Sequence, residues 1–285
     1  MSQQQQPEPR DNQEPSKEND QKGPEKVQEN IADIVGQAQH EVERSHEPWY
    51  RVSRRAGIVI GVYLVLFVLF TLLAFFVHSH PIIPVDVAIT QEFQENQAPW
   101  LKVPMFAISY FGSHFIVFGV IIVLTALVFW LVRLRLEALF ILGQSVVSSL
   151  LNELIKYIVS RPRPSASLVD VMQKAGGQSF PSGHVMAYVA FFGLLFSLAL
   201  IIFKRDRWWH YTLLIVTGLF VVLVGPSRVY LGDHWASDVL GGYLFGGLLL
   251  GISLWIYIKL KERGTLDRPV ASAHNIPPKA VPLQR

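Results

Sequence analysis

Six apolar stretches follow one another from residue 56 onward, and they constrain the fold of this chain more than any other feature. Each is close to the roughly 20 residues that a helix needs to cross the hydrocarbon core of a bilayer. With 51% hydrophobic and only 16% charged residues, the chain is too apolar for an ordinary water-soluble domain. The sequence therefore predicts an all-α fold, a six-transmembrane-helix bundle with spans at residues 56–78, 114–132, 137–159, 185–203, 211–226 and 236–258, the fifth being the shortest.

The segments outside these spans differ from them in composition. Residues 1–48 are rich in Gln, Glu, Pro, Asn and Lys, which predicts a disordered polar tail with at most a short helix near residues 31–42. The first apolar run is too long for a cleaved signal sequence, so we expect it to remain as an anchor. Residues 100–112 predict a short amphipathic interfacial helix. The predicted organisation is this tail, a six-span membrane domain at 49–262 and a flexible C-terminal tail at 263–285.

Basic residues predict how the bundle is oriented, because short cytoplasmic loops carry an excess of Lys and Arg. Four flanking segments show this excess, and their basic residues are Arg51, Arg54, Arg55, Arg133, Arg135, Lys204, Arg205, Arg207, Lys259, Lys261 and Arg263. We therefore expect a multi-pass protein of the plasma membrane with both termini in the cytoplasm. The basic residues flank apolar runs rather than forming one stripe, so nucleic acid is not an expected partner. The absence of cysteine excludes disulfides and thiolate catalysis.

Three polar segments break this charge bias on the opposite side, which we expect to face outward. They are Lys156-x6-Arg163-Pro164, then Phe180-Pro181-Ser182-Gly183-His184, then Ser227-Arg228-x5-His234-x3-Asp238. Charge at the end of an apolar span is costly and therefore usually functional. Lys156, Arg163 and Arg228 can neutralise phosphate oxygens. The Ser182 hydroxyl can donate to the same oxygens, and Gly183 allows close approach of the backbone.

The two histidines complete a phosphoryl-transfer hypothesis. His234 and Asp238 are four residues apart, which places both on one face of the helix that begins the sixth span. Asp238 can then accept the Nδ1 proton of His234 and leave Nε2 free to attack phosphorus. His184 remains to protonate the leaving oxygen and later to activate water. A phosphohistidine intermediate is chemically reasonable for this arrangement.

The three segments, in this order and spacing, resemble the signature motifs of the type 2 phosphatidic acid phosphatase superfamily, and the resemblance covers about residues 56–259. It implies a membrane lipid phosphatase with His234 as nucleophile, Asp238 as its partner and His184 as acid. It also implies that no metal or other cofactor is needed and that phosphate is bound by Lys156, Arg163, Ser182, Gly183 and Arg228. Implied substrates are phosphatidic acid, phosphatidylglycerophosphate, diacylglycerol pyrophosphate and undecaprenyl diphosphate, with the lipid tail entering sideways between spans.

Several alternatives stay open at the level of sequence. The same constellation fits a vanadium-dependent haloperoxidase, although those enzymes are soluble, or a membrane phosphate or lipid binder without turnover. Glu153 can pair with Lys156, line the entrance or serve helix packing. Arg161 is either a supporting phosphate contact or a surface residue, and Asp233 is expected to be an exposed loop residue. The expected partners are a lipid phosphate and membrane lipids; the motifs choose neither the lipid nor an oligomeric state.

Overall fold

A computed structural model describes residues 56–173, 175–203 and 207–264, together with Gly36. The predicted tail at 1–48, its short helix near 31–42 and nearly all of the predicted C-terminal tail lie outside these described residues. Contacts divide the chain after Gln37, and every helix below belongs to the unit Ala38–Arg285. The described ranges contain no strand. Their helices are α1 Ala56–Ser79, α2 Pro84–Gln94, α3 Pro99–Ser113, α4 Phe115–Leu131, α5 Arg135–Val159, α6 Gly183–Ile202, α7 Trp208–Tyr230 and α8 Ala236–Glu262.

Five of these helices, α1, α5, α6, α7 and α8, are each long and apolar enough to cross a membrane. A sixth span is formed when the bent pair of α3 and α4, which meet at an angle of 65°, is counted as one. The predicted all-α, six-span bundle is confirmed. The fifth predicted span is longer than expected, because α7 continues through Pro226 to Tyr230 and has 23 residues. Among the helices that match the six predicted spans, the shortest is α4, with 17 residues.

The segment between the first two spans contains two helices rather than one. The amphipathic helix predicted at 100–112 is present as α3, and it packs on α7. Helix α2 was not predicted, although Pro84 at its start and Asp86 in its first turn are typical of a helix N-terminus. Helix α2 contacts both α7 and α8. It therefore lies beside the connection between these helices, which carries His234.

Close packing of α6 against α8 brings two of the polar segments together. A Cβ atom added at Gly242 of α8 would lie 2.9 Å from the Cβ of Val185 in α6, so only glycine fits this contact. Gly246, one turn later, faces Val189 of α6 in the same way. Since His184 lies at the start of α6 and His234 just before α8, this contact sets the spacing of the two histidines.

Candidate active site

One cavity of about 400 Å³ lies where the C-terminal end of α5 meets the N-terminal ends of α6 and α8. Five of the eight predicted site residues line it: Lys156, Arg163, Gly183, His184 and His234. They come from the end of α5, the loop that follows, the first turn of α6 and the residues before α8. The other three, Ser182, Arg228 and Asp238, are fully buried around it. Residues that are far apart in the sequence thus converge on one cavity.

Contacts at both ring nitrogens orient the imidazole of His234. Its Nε2 lies 3.3 Å from Nη1 of Arg163, and because a guanidinium can only donate, this contact requires a lone pair on Nε2. The proton then sits on Nδ1, which faces the hydroxyl of Ser179 at 3.5 Å. Burial, followed by the charges of Arg163 and Arg228, holds the pKa of His234 well below its ordinary value. The structure therefore presents a neutral imidazole with Nε2 toward the cavity.

Asp238 lies behind His234 but does not bond to it directly. Its Oδ2 is 3.6 Å from Nδ1 of His234, which is beyond hydrogen-bond range. That oxygen instead accepts the Ser179 hydroxyl and, at 2.9 Å, the backbone N–H of Trp235. Ser179 thus lies between the two predicted partners and contacts both, and no pattern in the sequence indicates this role.

Arg161 has a role that neither sequence alternative described. It is 1% exposed and donates from Nη1 to Oδ1 of Asp238 at 2.6 Å and from Nη2 to Oδ2 of Asp86 at 2.7 Å. Asp86, in α2, also accepts the backbone N–H of Ser237 at 2.9 Å and the hydroxyl of the same residue. A buried carboxylate–guanidinium–carboxylate chain therefore connects α2 to the residue behind His234.

The end of the cavity that contains Lys156 is narrow around Gly183. A Cβ atom there would lie 2.9 Å from Oδ1 of Asn152 and 3.4 Å from Nζ of Lys156, so the absence of a side chain leaves the lysine accessible. Nζ of Lys156 is 3.2 Å from Oε1 of Glu153, whose own side chain is 75% exposed. Glu153 both pairs with Lys156 and lines the cavity.

Arg228 is not on the cavity wall. Its guanidinium donates to the side chains of Asp233 and Ser109, and its Nε has no partner among the described residues.

The expectation of an exposed Asp233 is wrong: the residue is 2% exposed because it pairs with Arg228. Burial raises the pKa of Asp233, while Arg228 and Arg163 oppose that change. The hydroxyl of Ser182 is also buried without a partner within the described ranges.

His184 is held from a helix outside the three motifs. Its Nε2 lies 3.2 Å from the hydroxyl of Ser113 at the end of α3, and Ser113 accepts the side-chain amide of Gln173 at 2.8 Å. As predicted, His184 stands in the first turn of its span, where backbone N–H groups lack intrahelical acceptors. Such groups attract anions.

A neutral imidazole, a second imidazole and two cations around a cavity of this size suit phosphoryl transfer. The cavity continues between α4 and α5, where the wall contributed by α4 is apolar. Embedded in a bundle of membrane-spanning helices, this site defines a membrane phosphatase that acts on lipid phosphate esters.

Comparison with known proteins specifies the class further. Residues 137–262 match the PAP2 superfamily. Phosphatidylglycerophosphatase B of Bacillus subtilis is 33% identical over 189 residues, which are 65% of this chain and 89% of that protein. Undecaprenyl-diphosphatase of Sulfolobus acidocaldarius is 27% identical over 200 residues, 68% of this chain and 90% of the relative.

A solved structure agrees with this assignment. The crystal structure of a transmembrane PAP2 type phosphatidylglycerolphosphate phosphatase from Bacillus subtilis superposes with a TM-score of 0.58 at 29% identity. The match covers 70% of this chain and 96% of that chain. The chain belongs to the PAP2 superfamily, and the resemblance drawn from the three motifs is confirmed.

Proposed function

We propose that the protein hydrolyses a lipid phosphomonoester or diphosphate through a phosphohistidine on His234, at a site that faces outward. The contact between Nε2 of His234 and Arg163 carries the proposal. In this contact the lone pair of Nε2 faces a guanidinium that forms no ion pair with a carboxylate among the described residues. The other bonds of Arg163 go to the carbonyl oxygens of Gly176, Gly177 and Asp233, at 3.0, 3.2 and 2.9 Å. A bound phosphoryl group supplies the missing negative charge next to the nucleophile.

In the first step, Nε2 of His234 forms a bond to phosphorus and the bond from phosphorus to the lipid oxygen breaks. The leaving oxygen takes a proton from His184, which lines the same cavity. The Nδ1 proton of His234 remains available to Ser179 and Asp238, so the positive charge that forms on the imidazole faces a buried carboxylate.

In the second step, water attacks the phosphohistidine. His184, now neutral, accepts the proton of this water, the bond between phosphorus and nitrogen breaks, and inorganic phosphate leaves. Lys156 and Arg163 face the phosphoryl oxygens throughout. Arg228 would join them only by turning from Asp233, so its predicted phosphate contact, like that of the buried Ser182, stays a prediction.

A phosphoenzyme trap tests the mechanism directly. Purified protein mixed with ³²P-labelled phosphatidic acid and quenched rapidly should carry an acid-labile, base-stable label, and His234→Ala should carry none and release no phosphate. EDTA should leave turnover unchanged, and vanadate should inhibit it, because its trigonal-bipyramidal form resembles the transition state. A labelled His234→Ala protein, or activity lost with EDTA and restored by a divalent cation, contradicts the proposal.

The outward orientation has a separate test. The chain has no cysteine, so single cysteines can be placed at exposed Ala166, near the site, and at exposed Glu262, at the other end of the bundle. A membrane-impermeant maleimide added to intact cells should label Ala166→Cys, and Glu262→Cys only after lysis. The reverse pattern would place the chemistry in the cytoplasm.

A further inference from the structure

From the end that contains Lys156 and His234, the cavity extends between α4 and α5 as a groove whose two walls differ in polarity. One wall is apolar and belongs to α4. The other belongs to α5 and is polar over about two turns. The α4 wall consists of Phe115, Phe118, Gly119 and Ile122, and the α5 wall of Ser145, Ser148, Ser149 and Asn152. Polar side chains that face a groove at membrane depth are costly, and this makes them candidates for a function.

Two of the four polar side chains have a structural explanation. Ser148 donates to the carbonyl of Met186 at 3.3 Å, and Asn152 donates to the carbonyl of Pro181 at 3.2 Å, so both hold α5 against the segment that contains α6. Ser145 and Ser149 bond only to their own helix, at the carbonyls of Ile141 and of Ser145, at 2.8 and 3.0 Å. These two hydroxyls contribute to no helix contact, and each can rotate toward a ligand.

Their depth along α5 can be compared with the length of a lipid. The side chain of Lys156 reaches back along its helix, and Nζ is level with about residues 152 and 153, close to Asn152 and Glu153. From there, Ser149 and Ser145 are roughly 5 and 11 Å further along the axis, at 1.5 Å per residue.

In a diacylglycerol phosphate, five and six bonds separate phosphorus from the two ester carbonyl carbons, roughly 6 and 7 Å at ordinary bond lengths. Both esters therefore fall between the levels of Ser149 and Ser145 when the phosphate is at Lys156. A polyprenyl chain has no polar atom at that depth.

We propose that Ser145 and Ser149 form a subsite for the ester carbonyls of a glycerol-based lipid phosphate. The subsite selects such lipids over polyprenyl phosphates. This inference rests on the proposed function, because it takes the phosphate to be bound beside His234. In the subsite each serine hydroxyl turns from its helix carbonyl and donates to an ester oxygen, while the acyl chains run along Phe115 and Phe118.

The experiment compares the rates of phosphate release from two lipids that differ only at these carbonyls. Phosphatidic acid and its dialkyl ether analogue, with equal chain lengths, are assayed in the same mixed micelles. Since a neutral hydrogen bond is worth roughly a factor of 2 to 10, two such bonds should make wild type favour the ester in kcat/KM by about 4- to 100-fold. Ser145→Ala/Ser149→Ala should reduce this ratio to near one. The control, Ser197→Ala, removes a hydroxyl bonded in the same way to Gly193 in α6 outside the groove, and should keep the wild-type ratio.

Three results would overturn the subsite. They are equal wild-type rates on the two lipids, an unchanged ratio in the double variant, and a wild-type preference for farnesyl phosphate over the ester. A loss of phosphate release from every lipid in the double variant, with a normal melting temperature, also counts against it, because the serines would then act on the chemistry. If wild type releases phosphate neither from these monoesters nor from farnesyl diphosphate, the proposed function fails, and the subsite with it; release from farnesyl diphosphate alone overturns only the subsite.

Discussion

Asp86 offers a sharp test of how the site is held together, because it touches no part of the cavity and lies outside the three motifs. In Asp86→Asn the amide oxygen can still accept the N–H of Ser237, but its NH₂ group then faces the guanidinium of Arg161. The variant thus loses the charge-assisted hydrogen bond between Arg161 and Asp86, and two N–H donors face each other in its place. Such a bond is worth about 1.5–3 kcal/mol, and the opposed donors add to the loss, so we expect the free energy of unfolding to fall by about 2–4 kcal/mol.

The catalytic effect follows from the next link in this chain. Arg161 is the only side chain that bonds to Oδ1 of Asp238 among the described residues, and it loses its fixed position when Asp86 is neutral. A displacement of about 1 Å near reacting groups can cost roughly 100-fold in rate, so kcat should fall by about 10- to 100-fold. KM should change little, because Lys156 and Arg163 are untouched.

The assay is phosphate release by purified protein in detergent, at a temperature well below the melting transition of each variant. Glu92→Gln, an exposed carboxylate in the same helix, is the matched control and should behave as wild type. The reasoning is refuted if Asp86→Asn melts earlier but keeps its kcat, because Asp86 would then only stabilise α2. It is also refuted if KM rises while kcat is unchanged.

Three further results are expected. His184→Ala should slow hydrolysis of a monoester more than that of a diphosphate, because a lipid alkoxide needs a proton on leaving and a phosphate does not; equal losses in kcat would exclude His184 as the acid. Gly183→Ala should lower kcat/KM, measured well below the melting transition, because its Cβ would lie 2.9 Å from Oδ1 of Asn152 and 3.4 Å from Nζ of Lys156, so that these side chains would have to shift; an unchanged kcat/KM would contradict this. Because burial and Arg163 lower the pKa of His234, protonation stops attack only well below pH 6.5, so kcat/KM, corrected for substrate ionisation measured by ³¹P NMR, should not decline as the pH falls through 6.5; a decline there would contradict a neutral His234.

The sequence predicted the spans and the cavity residues because both depend on local patterns. Runs of about 20 apolar residues identify a spanning helix without knowledge of its neighbours. The spacing of His234 and Asp238 within one turn indicates that they share a face, and the structure brings His184, Lys156 and Arg163 to the same cavity.

Contacts between distant segments could not be predicted in this way. Nothing in the residues around Asp86 indicates that α2 reaches Arg161, which is 75 positions away. Asp233 was expected at the surface because charged loop residues usually lie there, and its burial depends on Arg228 being turned toward it. The fifth predicted span ends at Pro226, yet α7 continues past this residue to Tyr230 within the bundle, where proline is tolerated.

The distribution of charge explains why similar basic residues have different roles. Arg161 lies between Asp86 and Asp238, and Arg228 pairs with Asp233, so both arginines are neutralised inside the protein. Within the described ranges Arg163 has no carboxylate ion pair, and the only ionic partner of Lys156 is the exposed Glu153. Buried paired arginines resist movement, since each would leave a carboxylate uncompensated. The unpaired positive charge is thereby confined to the cavity wall beside His234, where, in the proposed mechanism, a substrate phosphate, the phosphohistidine and the product phosphate would each supply its counter-charge in turn.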